Sequence, residues 1–559
     1  MLCLHAFARA MLAAVLLLAG AAAALQAQGG RRDTTARQRD TSSRGRDVMR
    51  QPRSSDTLRP APRGREPAII LRDTARSPED SARLAREAAR MADQPSVITR
   101  HAMRVGGAQL RYTATTGMMP IRNETTGVTE GNMFYVAYTL DGASHAARPI
   151  TFVFNGGPGS STIWLHMGAY GPRRVKLLSD GSAPPPPVTI EDNPYTLLDQ
   201  TDLVFLDPVG TGYSRPVTQE LGRKFWGLDE DIASVAEFIR LYLTRYERWG
   251  SPKLISGESY GTTRAAGLSG YLVDRGIALN GIILISSVLD FQASSQIKGN
   301  DVGYINFLPS YAATAWYHRK LAPELQSLSI EQVVAQAERW AETDYAQALS
   351  KGARLTAAER QTATDQMARF TGLSKEFIDR SDLRVSLSRF DQELLRDQKI
   401  MVGRLDSRFK AFDMDPAGER GPFDPSEASI RNTFTPVLND YVRRELGFRN
   451  ESIYYVLGGG IGQWHFPETN SFATVVPSLE RAFNKNPYMK LYVAEGYYDM
   501  ATPYFAVEYT LSHLVLDPKL RGNITTGRFT AGHMMYIDEP SMQKLRGELT
   551  RFIADAVKR

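Results

Sequence analysis

Short runs of apolar residues, each about five residues long, recur along this chain and predict buried β-strands. The pattern starts near Val97, where stretches rich in Tyr, Val and Thr at Gln109–Thr115 and Asn132–Leu140 predict an opening antiparallel hairpin region. The buried strands that follow are predicted at Ile150–Phe154, Asp202–Leu206, Lys253–Ser256, Gly281–Ile285, Lys490–Ala494 and Ile524–Thr530.

Amphipathic helices alternate with these strands. The apolar residues of Asp229–Tyr246 recur at helical spacing and fall on one face, and a terminal amphipathic helix is predicted at Ser541–Val557. Strands that alternate with such helices are typical of a mostly parallel sheet, so the predicted fold class is α/β.

The alternation stops between residues 291 and 440. Charged helical stretches at Ile330–Leu349 and Ala357–Arg369 have no strand-like run between them. We therefore expect an inserted helical cap at residues 291–440, and a catalytic α/β domain assembled from residues 96–290 and 441–559.

Residues 1–27 have the pattern of a secretory signal peptide. Arg9 gives a positive start, the run from Ala10 to Leu25 is small and apolar, and cleavage is expected after Ala24 or Ala27. The run is short for a membrane span, although an uncleaved anchor is the alternative. We expect an exported protein, periplasmic or extracellular, with no stable membrane span in the mature chain.

Residues 28–95 are predicted to be a disordered, Arg-rich linker. The stretch 28–65 has almost no large apolar residue to offset the entropy of ordering, although Ser77–Met91 has the spacing of a short helix. Residues 31–93 carry 16 Arg against 10 Asp and Glu, whereas residues 94–559 have a net charge of −1. The net charge of +6 therefore belongs to the linker, and no nucleic-acid partner is expected.

The number and position of the cysteines exclude two kinds of structural site. The chain of 559 residues has a single cysteine, Cys3, which lies inside the predicted signal peptide. A disulfide framework and a thiolate zinc site are thereby excluded. An exported protein without disulfides is typical of the bacterial periplasm or exterior.

The pentapeptide Gly257-Glu258-Ser259-Tyr260-Gly261 carries the first candidate chemistry. It follows a predicted buried strand and precedes a helical stretch, which is the strand–turn–helix context of a nucleophile elbow. The turn is so tight that the positions two before and two after the serine must be small, hence Gly257 and Gly261. We predict that Ser259 is the nucleophile of a serine hydrolase.

A serine nucleophile needs a general base later in the chain. Four histidines follow Ser259. His533 comes just after the last predicted strand, where a loop-borne base is expected. His318 lies in the predicted cap, His465 in a glycine- and aromatic-rich loop, and His513 in an apolar helical pattern that predicts a core position.

The base in turn needs an orienting carboxylate. Asp499 lies in the loop after the strand Lys490–Ala494, 34 residues before His533, and is the predicted acid. Glu495 is the competitor, but it lies nearer the strand. A simple turn role is the alternative interpretation of Asp499.

Residues 155–159, Asn-Gly-Gly-Pro-Gly, directly follow the strand Ile150–Phe154. Glycines let backbone N–H groups approach a substrate closely, as an oxyanion hole requires. A phosphate-binding loop is the rival interpretation, but the Lys and Ser/Thr of a Walker motif are missing. Because no H-E-x-x-H motif occurs either, neither a metal nor a cofactor is expected.

Five motifs in one order give the chain a family resemblance. They are Asn155-Gly156-Gly157-Pro158-Gly159-Ser160-Ser161, Gly171-Pro172, Asp207-Pro208-Val209-Gly210-Thr211-Gly212-Tyr213-Ser214, Gly257-Glu258-Ser259-Tyr260-Gly261 and Gly532-His533-Met534. Together they resemble the serine carboxypeptidases, peptidase family S10, over roughly residues 100–559. The resemblance implies an α/β-hydrolase fold and a secreted bacterial enzyme that removes C-terminal residues from peptides through an acyl-enzyme.

The resemblance implies the triad roles already predicted and adds four residues. The backbone N–H groups of Gly157 and Tyr260 would form the oxyanion hole. Asn155 and Glu258 would hydrogen-bond the terminal carboxylate of the peptide.

Three positions depart from the family pattern. Val153 stands where the family has Trp, Ser160 where it has Cys, and Ala169 where it has a Glu that shares the carboxylate-binding network. Half of the carboxylate-recognition set is therefore missing. The alternative function is that of an esterase or acyltransferase on the same scaffold, and the third hypothesis is a catalytically silent binding protein.

Overall fold

The computed structural model describes residues 95–144 and 146–558, and its centre is a ten-stranded sheet. The predicted signal peptide, the linker and its short helix fall within residues 1–95. Of these residues, only residue 95 is among those described. The strands are β1 Val97–Val105, β2 Ala108–Arg122, β3 Thr129–Leu140, β4 Ile150–Phe154, β5 Arg173–Val175, β6 Ile190–Asp192, β7 Asp202–Leu206, β8 Arg215–Pro216, β9 Lys253–Ser259, β10 Gly281–Ser287, β11 Ile400–Val402, β12 Lys410–Phe412, β13 Lys490–Gly496 and β14 Ile524–Phe529.

The strand order in the main sheet is β1-β2-β3-β7-β4-β9-β10-β13-β14, and β8 pairs with β3. From β7 to β14 every neighbouring pair is parallel, whereas all pairings that involve β1, β2, β3 and β8 are antiparallel. The pairs β5–β6 and β11–β12 form separate two-stranded sheets. The predicted α/β fold class with a mostly parallel central sheet is confirmed.

Helices cover both faces of this sheet, and others form a separate layer. They are α1 Leu228–Arg245, α2 Tyr260–Val273, α3 Val302–Tyr317, α4 Pro323–Gln326, α5 Ile330–Trp340, α6 Ala346–Lys351, α7 Ala357–Thr371, α8 Lys375–Arg380, α9 Leu387–Glu393, α10 Pro425–Arg444, α11 Val476–Lys485, α12 Tyr504–Ser512, α13 Pro518–Arg521 and α14 Glu539–Ala556. Helices α1, α2 and α11 pack on one face, and α10, α14 and the π-helical segment Leu165–Tyr170 pack on the other.

The apolar runs of the sequence are strands with both faces buried. On β4, Val153 points into one hydrophobic cluster while Phe152 and Phe154 point into the other. Strand β10 repeats the alternation with Ile283 and Ile282. Successive side chains of a strand point to opposite faces, so an unbroken apolar run serves both clusters at once.

A separate helical layer lies between β10 and β13 in the chain. Helices α3 to α9 share a third hydrophobic cluster, which also contains Tyr497, Tyr498 and Met500 from the loop after β13. Helix α10 spans residue 440, the predicted end of the cap, and it contributes Phe434 and Tyr441 to a cluster on the sheet. The helical layer therefore packs against the loop that carries Asp499.

Several predicted elements have different bounds in the structure, and two of them lie in the helical layer and next to Ser259. The helix expected at Ile330–Leu349 is α5, a π-helical segment at Ala341–Tyr345, and α6. Strand β9 continues beyond Ser256 to Ser259, because its last residues remain paired with β10. No helix in the described part of the chain combines the length and the hydropathy that a membrane span requires.

Candidate active site

Ser259 lies at the sharp turn between β9 and α2. Its backbone has φ 60° and ψ −132°, a conformation that residues with a side chain rarely adopt. A Cβ on Gly257 would collide with the carbonyl oxygen of Gly261, and a Cβ on Gly261 would lie 3.0 Å from the backbone of Asn155. The turn therefore requires both glycines, and it leaves Ser259 half-buried at the carboxyl edge of the sheet.

His533 and Asp499 lie in the loops after β14 and β13, two neighbouring parallel strands. Because parallel strands end at the same edge of a sheet, these loops lie side by side. The His533 Nδ1 and the Asp499 Oδ2 are 2.7 Å apart, and both side chains are buried. The hydrogen bond between the predicted base and the predicted acid is present.

Asp499 is surrounded by donors from its own loop. The N–H groups of Ala501 and Thr502 donate to Oδ1 at 2.8 and 2.9 Å, and the Thr502 hydroxyl donates to Oδ2 at 2.7 Å. Three donors of this kind fix the orientation of the carboxyl group. Asp499 is thereby held in one orientation beside the His533 imidazole.

The charge state of His533 is set by opposing effects. Burial lowers the pKa of His533, but the charge and hydrogen bond of Asp499 and the charge of Glu258 raise it, and the result lies above 6.5. The Ser286 hydroxyl, at the end of β10, donates to the His533 carbonyl at 2.7 Å. This hydrogen bond ties the His533 loop to the strand beside β9.

The three predicted triad residues lie along one edge of the sheet, in the strand order β9-β10-β13-β14. Among the described residues, the His533 ring is hydrogen-bonded to Asp499 and Thr502, and no hydrogen bond joins its Nε2 to the Ser259 hydroxyl. In serine hydrolases without substrate this contact is often loose. The structure thus joins Asp499 to His533 directly and brings Ser259 to the same edge.

The competing acid and the other histidines have different surroundings. Glu495 lies within β13, where burial and the nearby Glu508 raise its pKa well above the usual range. The Nε2 of His318 lies 2.6 Å from the carbonyl oxygen of Ser407, and His465 is exposed. None of the three is hydrogen-bonded to the triad among the described residues.

The core position expected for His513 is wrong. Helix α12 ends at Ser512, so His513 lies one residue beyond it and is exposed. Its Nδ1 lies 2.7 Å from the carbonyl oxygen of Tyr509 and so satisfies an acceptor in the last helical turn. The apolar pattern of the sequence continues past the end of the helix. Periodicity alone does not locate the residue at which a helix ends.

Gly157 and Tyr260 lie where the loop after β4 meets the N-terminus of α2. A Cβ on Gly156 would collide with the backbone nitrogen of Tyr260 and lie 2.7 Å from the carbonyl oxygen of Glu258. Gly157 has φ 102°, which favours glycine. Tyr260 is the first residue of α2, so its N–H has no acceptor within the helix. Two backbone donors beside a serine nucleophile can stabilise a developing oxyanion.

A buried ion pair holds this loop in place, and the sequence did not point to it. Arg264, on α2, pairs with Asp231 on α1 at 2.7 Å and donates to the carbonyl oxygen of Asn155 at 2.6 Å. Both charged side chains are almost fully buried. The pair therefore joins the two helices to the loop. Its burial is tolerated because each charge has its hydrogen-bond partners inside the protein.

Asn155 and Glu258 form the other side of the site. The Asn155 Oδ1 accepts from the N–H of Leu165 at 3.1 Å, while its buried Nδ2 donates no well-formed hydrogen bond among the described residues. The Tyr536 hydroxyl donates to the Glu258 Oε2 at 2.6 Å. The Asn155 amide lies close enough to affect the pKa of both Glu258 and Tyr536.

Burial raises the pKa of Glu258 to about 7. The charge of His533 and the hydrogen bond from Tyr536 lower it, and the charge of Asp499 raises it. Glu258 therefore changes its protonation state near neutral pH, unlike an exposed glutamate.

A short segment after the helical layer supports the His533 loop, and no sequence signal indicated it. The Leu405 carbonyl accepts from the His533 N–H at 2.7 Å, and the Asp406 Oδ2 accepts from the Gly532 N–H at 3.1 Å. Arg408 pairs with Asp406 at 2.7 Å and with Asp538 at 3.0 Å. The position of the base thus depends on residues more than 100 positions earlier.

The three departures from the family pattern are all buried. Val153 packs in the sheet core, and the Ser160 hydroxyl accepts from the Trp164 indole at 2.9 Å. Ala169 lies in the π-helical segment Leu165–Tyr170, whose first residue donates its N–H to Asn155. No acidic side chain therefore comes from position 169.

Known proteins resemble this chain as follows. A family model described as serine carboxypeptidase matches residues 109–527. Serine carboxypeptidase-like 36 of Arabidopsis thaliana is 33% identical over 117 residues, which is 20% of this chain and 22% of that protein. The pheromone-processing carboxypeptidase KEX1 of Saccharomyces cerevisiae is 29% identical over 158 residues, 26% of this chain and 20% of KEX1. The chain thus matches about a fifth of the length of these curated relatives.

Solved structures resemble it at lower identity. The crystal structure of KEX1ΔP, a prohormone-processing carboxypeptidase from Saccharomyces cerevisiae, is 16% identical with a TM-score of 0.47, and the match covers 79% of this chain and 91% of that one. A carboxyl esterase from Bacillus coagulans is 12% identical with a TM-score of 0.31, over 83% of this chain and 99% of that one.

Proposed function

The chain belongs to the serine carboxypeptidase family, and we propose that it is an exported enzyme that releases C-terminal residues from peptides. One observation carries the proposal. Beside Ser259 lie a buried Asn155 amide nitrogen without a well-formed hydrogen bond and a Glu258 carboxyl group whose pKa is about 7. Such a pair suits a terminal carboxylate, whereas a hydrolase of neutral esters has no use for it.

The reaction begins at Ser259. Its Oγ attacks the carbonyl carbon of the last peptide bond while the Nε2 of His533 takes the hydroxyl proton. Asp499, hydrogen-bonded to Nδ1, orients the imidazole and stabilises the imidazolium. The N–H groups of Gly157 and Tyr260 donate to the oxyanion. When the C–N bond breaks, His533 gives its proton to the leaving amine, and the acyl group stays on Ser259.

Water completes the reaction. His533 takes a proton from a water molecule, whose oxygen attacks the acyl carbon, and then returns the proton to the Oγ of Ser259. The products are the C-terminal amino acid and a peptide one residue shorter. The chain's own residues supply every proton transfer in this scheme.

The terminal carboxylate is held by Asn155 and Glu258. The Asn155 Nδ2 donates one hydrogen bond to it. Glu258 donates a second when it is protonated, because an ionised Glu258 would repel an anionic terminus. Since the pKa of Glu258 is about 7, the protonated form prevails in acid, and free-acid peptides are favoured below neutral pH.

Features outside the site complete the proposal. Residues 1–27 would direct export to the periplasm or exterior and be removed, and residues 28–95 would serve as a tether. The predicted cap, residues 291–440, packs through α3 to α9 against the loop of Asp499, which supports a role in shaping the substrate pocket.

The experiment is to incubate the purified protein with a mixture of defined peptides at about pH 5 and read the products by mass. We expect ladders that lose residues one at a time from the C terminus. Ser259→Ala is the matched control and should give no products. Internal cleavage, or identical products from Ser259→Ala, would contradict the proposal.

The second candidate is an esterase or acyltransferase, and Ala169 is the observation that favours it, because the family's acidic residue is missing there. Matched substrates that end in a free acid, an amide or an ester separate the two functions. Equal rates on free acid and amide at every pH would favour the esterase. A fluorophosphonate probe that fails to label the wild-type Ser259 would instead indicate a catalytically silent protein.

A further inference from the structure

Tyr536 lies beside Glu258 and packs against the π-helical segment Leu165–Tyr170, which contains Ala169. Its ring packs against Gly168: a Cβ at that position would lie 2.7 Å from the Tyr536 ring and 3.2 Å from the ring of Phe434. The lack of a side chain at Gly168 therefore leaves room for the Tyr536 ring. Tyr536 itself is fully buried.

The hydroxyl of Tyr536 is hydrogen-bonded to Glu258. It donates to the Oε2 of Glu258 at 2.6 Å, and both side chains are buried. Burial and the Glu258 charge raise the pKa of Tyr536 well above its usual range, so the hydroxyl keeps its proton throughout the working pH range. The partner of Glu258 at this site is thus a permanent donor, whereas a second carboxyl group would itself titrate.

This hydrogen bond decides which oxygen of Glu258 can carry a proton. Because Oε2 accepts from the Tyr536 hydroxyl, a proton on the carboxyl group belongs on Oε1. A proton on Oε1 makes Glu258 a donor in a fixed direction. The Nδ2 of Asn155, which makes no well-formed hydrogen bond among the described residues, supplies a second donor from the loop after β4, the strand next to β9.

We propose that Tyr536 is a positioning residue for recognition of the substrate's terminal carboxylate, in a chain that has Ala169 where the family has an acid. This proposal rests on the proposed carboxypeptidase function. Tyr536 acts through Glu258: it holds Oε2, leaves Oε1 as the proton donor, and keeps the carboxyl plane fixed beside Asn155.

The hydrogen bond from Tyr536 also affects how carboxylate binding depends on pH. Glu258 is faced by Tyr536, by Tyr170 from the π-helical segment, and by His533 and Asp499 from their loops. Of these, Tyr536 stabilises the ionised carboxylate by donating to it, which lowers the pKa of Glu258. Removing the hydroxyl therefore moves the pKa of Glu258 upwards, while the loss of a fixed Oε1 weakens carboxylate binding at every pH.

The test is the variant Tyr536→Phe, which keeps the ring and its packing against Gly168. Binding of N-acetyl-phenylalanine and of N-acetyl-phenylalaninamide is measured by calorimetry between pH 4 and 9, with peptide cleavage measured in parallel. At the acidic end we expect carboxylate binding about tenfold weaker than in the wild type, amide binding unchanged, and the midpoint of the pH dependence moved to higher pH.

Tyr492→Phe is the matched control. The Tyr492 hydroxyl also donates to a glutamate, Glu548, but this pair joins β13 to α14 and is not hydrogen-bonded to Glu258 or Asn155 among the described residues. The control should match the wild type in both binding curves. A general effect of losing a tyrosine–glutamate hydrogen bond would instead appear in both variants.

The two proposals fail in different ways. If Tyr536→Phe binds carboxylate as the wild type does, with the same midpoint, the role of Tyr536 is overturned even if the wild type cleaves peptides. The same holds if the wild type does not distinguish the carboxylate from the amide. If the binding results are as expected but no peptide is shortened, the role of Tyr536 stands and the proposed peptidase function fails.

Discussion

The two sides of the candidate site differ in how their polar groups are satisfied. On the acid–base side, Asp499 accepts hydrogen bonds from its own loop and from His533, so its carboxylate is fully committed. On the carboxylate side, Asn155 has a buried nitrogen without a well-formed hydrogen bond, and Glu258 has a pKa of about 7. The carboxylate of Asp499 has its partners within the protein, whereas in the proposed function Asn155 and Glu258 gain further partners from a substrate.

This difference has a physical reason. A base and its orienting acid must hold one geometry throughout the reaction, so their hydrogen bonds are made within the protein. A recognition group must instead exchange partners with each substrate, and a buried donor left unpaired without substrate makes that exchange favourable when a carboxylate arrives. We therefore expect changes on the acid–base side to reduce kcat, and changes on the carboxylate side to alter substrate preference and pH dependence.

The largest effect is expected from His533→Ala. Without a base the site retains the oxyanion hole and binding, so kcat should fall by about 10⁴-fold or more on every substrate. Steady-state rates on free-acid, amide and ester substrates test this, with circular dichroism as the control for folding. A variant with near-normal rates would mean that another group is the base.

Asp499→Asn should be the next most damaging change. An asparagine no longer holds the His533 tautomer or stabilises the imidazolium, and kcat should fall by roughly 10³- to 10⁴-fold. Glu495→Gln is the matched control, because Glu495 is the other buried acid of the same strand and loop and should leave kcat almost unchanged. A larger loss in Glu495→Gln than in Asp499→Asn would reverse the assignment of the acid.

Glu258→Gln should change the pH profile more than the maximal rate. In the wild type, kcat/KM for free-acid peptides should fall as the pH rises through about 7, because Glu258 ionises and repels the terminus. Glutamine does not ionise and still donates a hydrogen bond, so the fall should flatten while the preference for free acid persists. Profiles for matched free-acid and amide peptides provide the comparison. Identical profiles in both proteins would show that Glu258 does not face the terminus.

The smallest effect is expected from deleting residues 28–65, which belong to neither side of the site. Their composition predicts a disordered tether, so kcat/KM should stay within about twofold of the wild-type value. The measurement is peptide cleavage by the shortened protein together with its melting temperature. A large loss of activity in a folded protein would contradict the tether interpretation.

The sequence predicted the parts of the molecule that depend on short-range physics. The apolar runs predicted the parallel strands, since a strand buried on both faces needs side chains like Phe152 and Val153 in succession. Gly257 and Gly261 predicted the turn at Ser259, because no Cβ fits there. Loop positions after predicted strands pointed to Asp499 and His533, whose hydrogen bond the structure contains.

Tertiary structure decided the contacts between distant positions. The hydrogen bond from Tyr536 to Glu258 and the support of the His533 loop by Asp406 and Arg408 join segments separated by more than 100 residues. No local pattern encodes such partners, because periodicity and turn chemistry describe only neighbours along the chain. The packing of the sheet, the π-helical segment and the loops sets these distances, and the burial that it produces raises the pKa of Glu258 to about 7.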